Sequence, residues 1–233
     1  PLFFLDYYAT DKLIPDTFSS VISGMSKACI ENSCVLIAGE TAEMPGFYGK
    51  DEYDLSGTIV GVADEKNLMS KRTTVKGDVL IGIHSTGLHT NGYSLARKVL
   101  LKHFSLDQYI DGLEMSLGEK LLSIHKSYLN TVFPLIEKSG LHAISHITGG
   151  GILENTSRVV SEKSKIKIDW KSWDTPYIFD LIEKKGNVPI EDMRRSFNLG
   201  IGMILIVDKL EVDSFTDHLK IENEKFSILG EIV

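Results

Sequence analysis

A chain of 233 residues that is 42% hydrophobic and 24% charged can bury a substantial core, as one large domain or two small ones. Its net charge of −7 argues against a general nucleic-acid binder, which carries a basic surplus, yet local glycine loops and helix ends still leave anionic ligands open. No apolar run approaches the roughly 20 residues that span a bilayer, and Cys29 and Cys34 lack the spacing of a disulfide framework or a cysteine zinc site, so a cytoplasmic protein without membrane contact is expected.

The chain begins at Pro1 and enters the apolar "PLFFLDYYA", a strand or buried helix, as if cut through a domain. "PDTFSSVISGMSKACIENS" has helical spacing with Asp16 as the expected N-cap, and "CVLIAGE" and "YDLSGTIVGVAD" read as strands. The polar stretch from Asp64 to Asp78 is the best domain boundary and includes "SKRTTVK", a basic exposed linker. Beyond it, "DVLIGIH" is a strand and "NGYSLARKVLLKHF" an amphipathic helix. "SLGEKLLSIHKSYLNTVFPLIEKSG" is expected to be helical, bent or ended near Pro134. "LHAISHI" is strand-like, "GILENTSRVV" a helix, "SKIKIDW" a strand, and "PYIFDLIEKKG" and "IEDMRRSF" are helices. "GIGMILIVDKL", "EVDSFTDHLKI" and "KFSILGEIV" close the chain as strand, helix and strand. Interleaved strands and helices predict an α/β (α+β layered) fold.

Four stretches could carry chemistry. "HITGGGILEN" puts three glycines between a strand and a helix. They are either a tight turn or a phosphate cradle, in which amides freed of Cβ crowding face an anion at a helix N-terminus. "AGETAEMPGFY" places Glu40 and Glu43 three apart after a buried strand, which suits Mg²⁺ or a capped turn. "HSTGLHTNGYS" is a small, hydroxyl-rich loop whose His89 is an acid/base or a solvated side chain, with Asn91 beside it. "RRSFNLGIGM" sets Arg194 and Arg195 before Asn198 and a glycine-flanked strand, as a phosphate fork or a solvated helix end. No G-x-x-x-x-G-K-[ST], G-x-G-x-x-G or G-x-S-x-G motif follows a strand, which leaves a phosphate- or nucleotide-handling α/β protein.

Taken in order, "PLFFLDYYATDKL", "GETAEMPGFY", "YDLSGTIVGV", "GLHTNGYSLARK", "HITGGGILEN" and "SFNLGIGM" resemble the phosphoribosylformylglycinamidine cyclo-ligase (aminoimidazole ribonucleotide synthetase) family from Pro1 to Val233. The resemblance implies two domains. Residues 1–66 would be the C-terminal part of an ATP-binding, barrel-forming dimerisation domain, and residues 67–233 a complete C-terminal α/β domain. It implies ATP-dependent closure of formylglycinamidine ribonucleotide to aminoimidazole ribonucleotide, ADP and phosphate, with ATP and Mg²⁺ required and a homodimer in the full-length form. It implies that Glu40 and Glu43 sit by nucleotide and Mg²⁺, with Asp54 and Asp6 as weaker candidates. His89 and Asn91 would be at the reacting centre, with His89 as the proton-transfer group. Gly149, Gly150, Gly151 and Asn155 would hold an anionic group, and Asn198 and Gly200 would line the same cleft. The family carries a further segment ahead of "PLFFLDYYA", so this chain alone is expected to be inactive or a non-catalytic fragment retaining phosphate binding. Selenophosphate synthetase and thiamine-phosphate kinase are rivals of similar architecture. Where the family has Pro-Thr-Arg, this chain has Ile124, His125 and Lys126, which puts a bidentate phosphate contact there in doubt.

Overall fold

The computed structural model describes residues 1–65, 68, 69, 73–162 and 164–233, so residues 70–72 of the basic stretch lie outside the described residues. The chain divides into two compact units, Pro1–Lys66 and Asn67–Val233. Both mix helices with strands, as the interleaved pattern predicts. No helix among the described residues is long and apolar enough to cross a membrane.

In the first unit, β1 (Phe3–Thr10) lies between β2 (Val35–Glu43), parallel to it, and β3 (Tyr53–Val60), antiparallel to it. The parallel pair needs a crossover, supplied by α1 (Pro15–Glu31). Asp16 is not its cap: Ile14 takes that position without a side-chain bond, Pro15 opens the first turn with its preset φ, and Asp16 contributes its charge there. Tyr8 is buried under α1, edge-on to Phe18 at 5.3 Å.

The second unit is a five-stranded antiparallel sheet in the order β7-β9-β4-β10-β8. The strands are β4 (Val79–His84), β7 (Leu141–His146), β8 (Ile166–Ile168), β9 (Ile201–Val207) and β10 (Phe226–Ile232). Alternate residues of β9 face opposite cores, as period-two geometry requires. Ile204 and Ile206 join one with α2 (Tyr93–Leu100), α3 (Leu117–Leu121), α5 (Gly151–Ser157), α6 (Tyr177–Gly186) and α7 (Ile190–Ser196). Leu205 and Val207 join the other with α4 (Leu129–Val132) and α8 (Val212–Ile221). A short pair, β5 (Tyr109–Ile110) and β6 (Met115–Ser116), precedes α3, whose start is fixed by a capping box between Ser116 and Glu119.

The helical stretch expected before β7, bent or ended near Pro134, is instead α3, an irregular stretch, α4 and a 3₁₀ turn at Phe133–Leu135. Pro134 marks that last turn, but the break comes earlier, and the irregular stretch carries His125 and Lys126. After β8, Trp173 donates its indole N–H to the Leu199 carbonyl at 2.9 Å, and the Arg194 guanidinium lies 4.2 Å from the centre of the Trp170 ring.

Candidate functional site

The C-terminal ends of β4 and β7 and the N-terminal end of β9 meet at one edge of the second sheet, because these neighbours are antiparallel: His84 pairs with Ile201, and His146 with Met203. The three loops leaving that edge carry most of the residues singled out from the sequence. Ile147 N–H donates to the Gly202 carbonyl at 3.0 Å and so starts the glycine loop against β9.

All three glycine amides are already used. Gly149 N–H donates to Asn91 Oδ1 (3.0 Å), Gly150 N–H to the Arg195 carbonyl (2.9 Å) and Gly151 N–H to the Thr148 carbonyl (3.1 Å). An anion taking those amides must first displace protein acceptors. The turn reading accounts for the composition instead. Gly151 has φ +69, and a methyl group there would overlap the Arg194 carbonyl oxygen, so only glycine lets α5 start against α7.

Three asparagine side chains fasten the loops together. Asn91 accepts from Gly149 and donates to the His89 carbonyl at 2.9 Å. Buried Asn155 donates to the Gly151 carbonyl at 2.8 Å and accepts from Thr148 Oγ1 at 3.0 Å. Buried Asn198 donates to the Gly87 carbonyl (2.9 Å) while its oxygen accepts from Gly200 N–H (2.8 Å) and Ser85 Oγ (3.2 Å). Asn91 and Asn198 bond backbone in both senses, and Asn155 donates to backbone while accepting from side chains, which satisfies buried loop groups. Thus His89, Asn91, Gly149, Gly150, Gly151, Asn155, Asn198 and Gly200 do form one constellation, but Asn155 and Asn198 serve as internal braces.

His89 is only 2% exposed and sits with Thr90 in the left-handed region (φ +51 and +64), a conformation that costs about 1 kcal/mol or more per residue. Its Nε2 accepts the Thr86 backbone N–H at 3.0 Å, with Thr86 Oγ1 at 2.9 Å. The lone pair is therefore engaged and the proton sits on Nδ1, which is buried without a partner among the described residues. Burial, then His125, His146 and Lys126, push its pKa down to about 4. In this conformation His89 is a neutral, wrapped ring.

The sequence reading missed the rings around it. His125 stacks on His89 at 4.1 Å with an 18° interplanar angle, and His146 tilts against His125 at 5.6 Å. His125 is half-buried and His146 exposed; burial lowers the pKa of both, with His146 adding to the effect on His125. Both are neutral near pH 7 and able to accept a proton. His125 and His146 also line a cavity of about 380 Å³ walled by Leu129, Val132, Phe133 and Met203. Lys126 spends its charge inward, in an ion pair with buried Glu224, whose other oxygen accepts from Thr131 Oγ1 at 2.8 Å. Lys120 reaches the loop instead, donating to the Thr86 carbonyl at 3.0 Å.

In the first unit the carboxylates do not converge as expected. Glu40 and Glu43 lie within β2 rather than beyond its end, and strand residues three apart point to opposite faces. Glu40 pairs with Tyr7 on the face away from α1, where Asp54 also lies beside Ala9. Glu43 pairs with Thr10 on the α1 side, and its Oε1 accepts Leu13 N–H at 2.6 Å. Asp6 projects between Gly39 and Gly57, where any side chain would collide with it or with Phe4. No three His, Cys, Asp or Glu side chains among the described residues are grouped to hold a metal ion, so the set Glu40, Glu43 and Asp54 does not fit a Mg²⁺ held by all three.

Comparison with known proteins matches two family models: AIR synthase related protein, N-terminal domain, over residues 1–63, and AIR synthase related protein, C-terminal domain, over residues 75–233. A phosphoribosylformylglycinamidine cyclo-ligase of Syntrophotalea carbinolica is 45% identical over 234 aligned residues, covering 100% of this chain and 67% of that protein. Among solved structures, thiamine-monophosphate kinase of Stenotrophomonas maltophilia superposes with a TM-score of 0.72 at 14% identity, covering 100% of this chain and 69% of that one. The hydrogenase maturation protein HypE in complex with ATP gives 0.69 at 12% identity, covering 100% of this chain and 65% of that one. At such identities the two structures speak for the fold alone.

Proposed function

The chain belongs to the phosphoribosylformylglycinamidine cyclo-ligase family, and from that premise we propose that it serves ATP-dependent imidazole ring closure in purine biosynthesis. The observation that carries this reading is the 45% identity to a cyclo-ligase along 100% of the chain. In the reaction the formyl oxygen of formylglycinamidine ribonucleotide takes the γ-phosphoryl group of ATP and becomes a good leaving group. A nitrogen of the same molecule then attacks that carbon, phosphate departs and the attacking nitrogen loses a proton. The ATP-bound state of HypE, a protein of the same fold, is consistent with ATP use.

The proposal assigns the proton to the neutral imidazoles of His125 and His146, which reach the mouth of the loops, rather than to wrapped His89. Asn91, Asn155 and Asn198 keep the three loops in register so that the substrate meets a fixed surface. Gly149, the one glycine of the three that is exposed, is where an anionic substrate group would approach, exchanging with Asn91 Oδ1 for the amide. The first unit would serve the nucleotide and pair with a second copy through its sheet, in the cytoplasm. Because its carboxylates diverge, no step is routed through a metal ion.

The test is formylglycinamidine-ribonucleotide-dependent release of ADP, with aminoimidazole ribonucleotide as the measured product, together with calorimetric binding of each substrate to the chain. Binding that is lost in His146→Ala and kept in Lys209→Ala, an exposed side chain beyond the far end of β9, supports the reading. ADP release with thiamine monophosphate, or binding of that compound in preference, would overturn it.

A further inference from the structure

We propose that Cys29 and Cys34 form a reversible thiol–disulfide pair, a modification site at the junction of α1 and β2 that is independent of the ring-closure reading. Helix α1 ends in a tight left-handed turn. Ser33 has φ +50, its N–H donates to the Ile30 carbonyl at 3.1 Å, and Cys34 N–H reaches back to the Cys29 carbonyl at 2.8 Å. A left-handed residue flanked by these two bonds is the Schellman ending of a helix, and it turns the side chains of its first and sixth residues toward each other. Ordinarily that contact joins two apolar groups. Here both positions are cysteine, and the bond from Cys34 N–H to the Cys29 carbonyl draws the two chain positions together, as a disulfide with its Cα separation of about 4.4–6.8 Å requires.

Three further observations bear on the pair. Both side chains are buried to the same degree, 8% exposed, and both line one apolar cavity of about 220 Å³ with Phe4, Met25, Ala28 and Ile59. Burial first, then the neighbouring Cys34 and Asp6, pushes the Cys29 thiol up. These are also the only cysteines in the sequence, so an intramolecular disulfide can form nowhere else.

With hydrogen peroxide as oxidant the chemistry balances. One thiolate attacks a peroxide oxygen, breaking the O–O bond and giving a sulfenic acid with loss of hydroxide, which the released proton converts to water. The second sulfur then displaces the sulfenic hydroxyl as water, forming the S–S bond. The sum is two thiols and one peroxide giving one disulfide and two waters, and a dithiol reductant reverses it. Because the thiolate is the nucleophile and burial opposes it, the reaction is slow at neutral pH and accelerates about tenfold per pH unit below the thiol pKa.

The 233-residue chain is treated with hydrogen peroxide at two pH values one unit apart, and free thiols are then alkylated under denaturing conditions and weighed by mass spectrometry. The expected product is a monomer lighter by two hydrogens, with neither cysteine alkylated, formed about tenfold faster at the higher pH and restored by dithiothreitol. Cys34→Ser and Cys34→Ala should instead stop at oxygen adducts on Cys29. Oxygen adducts on one cysteine of the unaltered chain with the other left free would overturn the proposal. So would a disulfide-linked dimer as the main product, or two free thiols after prolonged oxidation. The unaltered chain is decisive, so the result holds even if a variant folds poorly.

Discussion

Strand β2 begins Val-Leu-Ile-Ala and strand β9 runs Ile-Gly-Met-Ile-Leu-Ile-Val, and the two end in opposite surroundings. In the second unit helices lie on both faces of the sheet, and Ile201, Ile204, Leu205, Ile206 and Val207 are all fully buried. In the first unit a single helix covers one side of three strands; Val35 and Ile37 are each 59% exposed, and Ile59, on the helix side of edge strand β3, is still 61% exposed. Apolar content makes a strand; what covers it decides how much that content stabilises. Side-chain burial adds about 1.5–3 kcal/mol for a residue taken fully out of water and little for one left half in it.

The largest expected effect tests the buried side of this contrast. Ile204→Ala removes a fully buried branched chain at the centre of the sheet and should cost about 2–5 kcal/mol in denaturant unfolding of the second unit. Gly151→Ala comes next, at about 2–3 kcal/mol, from a positive φ combined with overlap on the Arg194 carbonyl. The same change at Gly149, where the nearest atom is Asn91 Oδ1 at 3.7 Å, should be tolerated within about 1 kcal/mol.

All seven histidines belong to the second unit, so acid should separate the two units. His89 is held below its ordinary pKa, at about 4, and so favours the neutral form on folding. Its stabilisation is full above the unfolded value of about 6.5 and is lost as pH falls from there toward 4. Thermal melts across that window should show the second unit losing up to about 1.4 kcal/mol per pH unit from this ring. His89→Asn, which tolerates the left-handed backbone, should flatten the slope.

A double-mutant cycle on Lys126 and Glu224 should give a coupling of about 1 kcal/mol, modest because the lysine remains partly exposed. The smallest effect is Ile59→Ala in the first unit, within about 0.5 kcal/mol. A loss there as large as that of Ile204→Ala would break the comparison, because it would mean that α1 shelters Ile59 in solution as fully as the second unit shelters Ile204.

Much of this was legible in the residues. The spacing of "NGYSLARKVL" and the run "GIGMILIV" are local signals, and α2 and β9 appear where they predict. The loops bearing Asn91, Gly149 and Asn198 were each flagged by glycine and asparagine clusters, and the sheet edge brings them together. What escaped depends on distant partners or on period. Nothing local in "SIHKSYL" announces that His125 will stack on His89, or that Lys126 will pair with Glu224 nearly a hundred positions later. Glu40 and Glu43 look paired only if the strand is assumed to stop at Gly39; once β2 continues to Glu43, its alternation separates them. The glycine loop read equally as turn or cradle because the acceptors that occupy its amides, from Asn91, Thr148 and Arg195, are not visible in its composition.

Both tryptophans, Trp170 and Trp173, follow β8, one under a guanidinium and the other bonded to the chain just before β9. The eight tyrosines, by contrast, are shared evenly between the two units: Tyr7, Tyr8, Tyr48 and Tyr53 in the first, Tyr93, Tyr109, Tyr128 and Tyr177 in the second. Light absorbed by indole alone therefore gives an emission signal blind to the first unit, while circular dichroism of the backbone registers both. If the two signals trace different melting curves, the units unfold separately and the chain has two stabilities to report. Coincident curves would mean that one cooperative transition binds the half-covered sheet to the enclosed one.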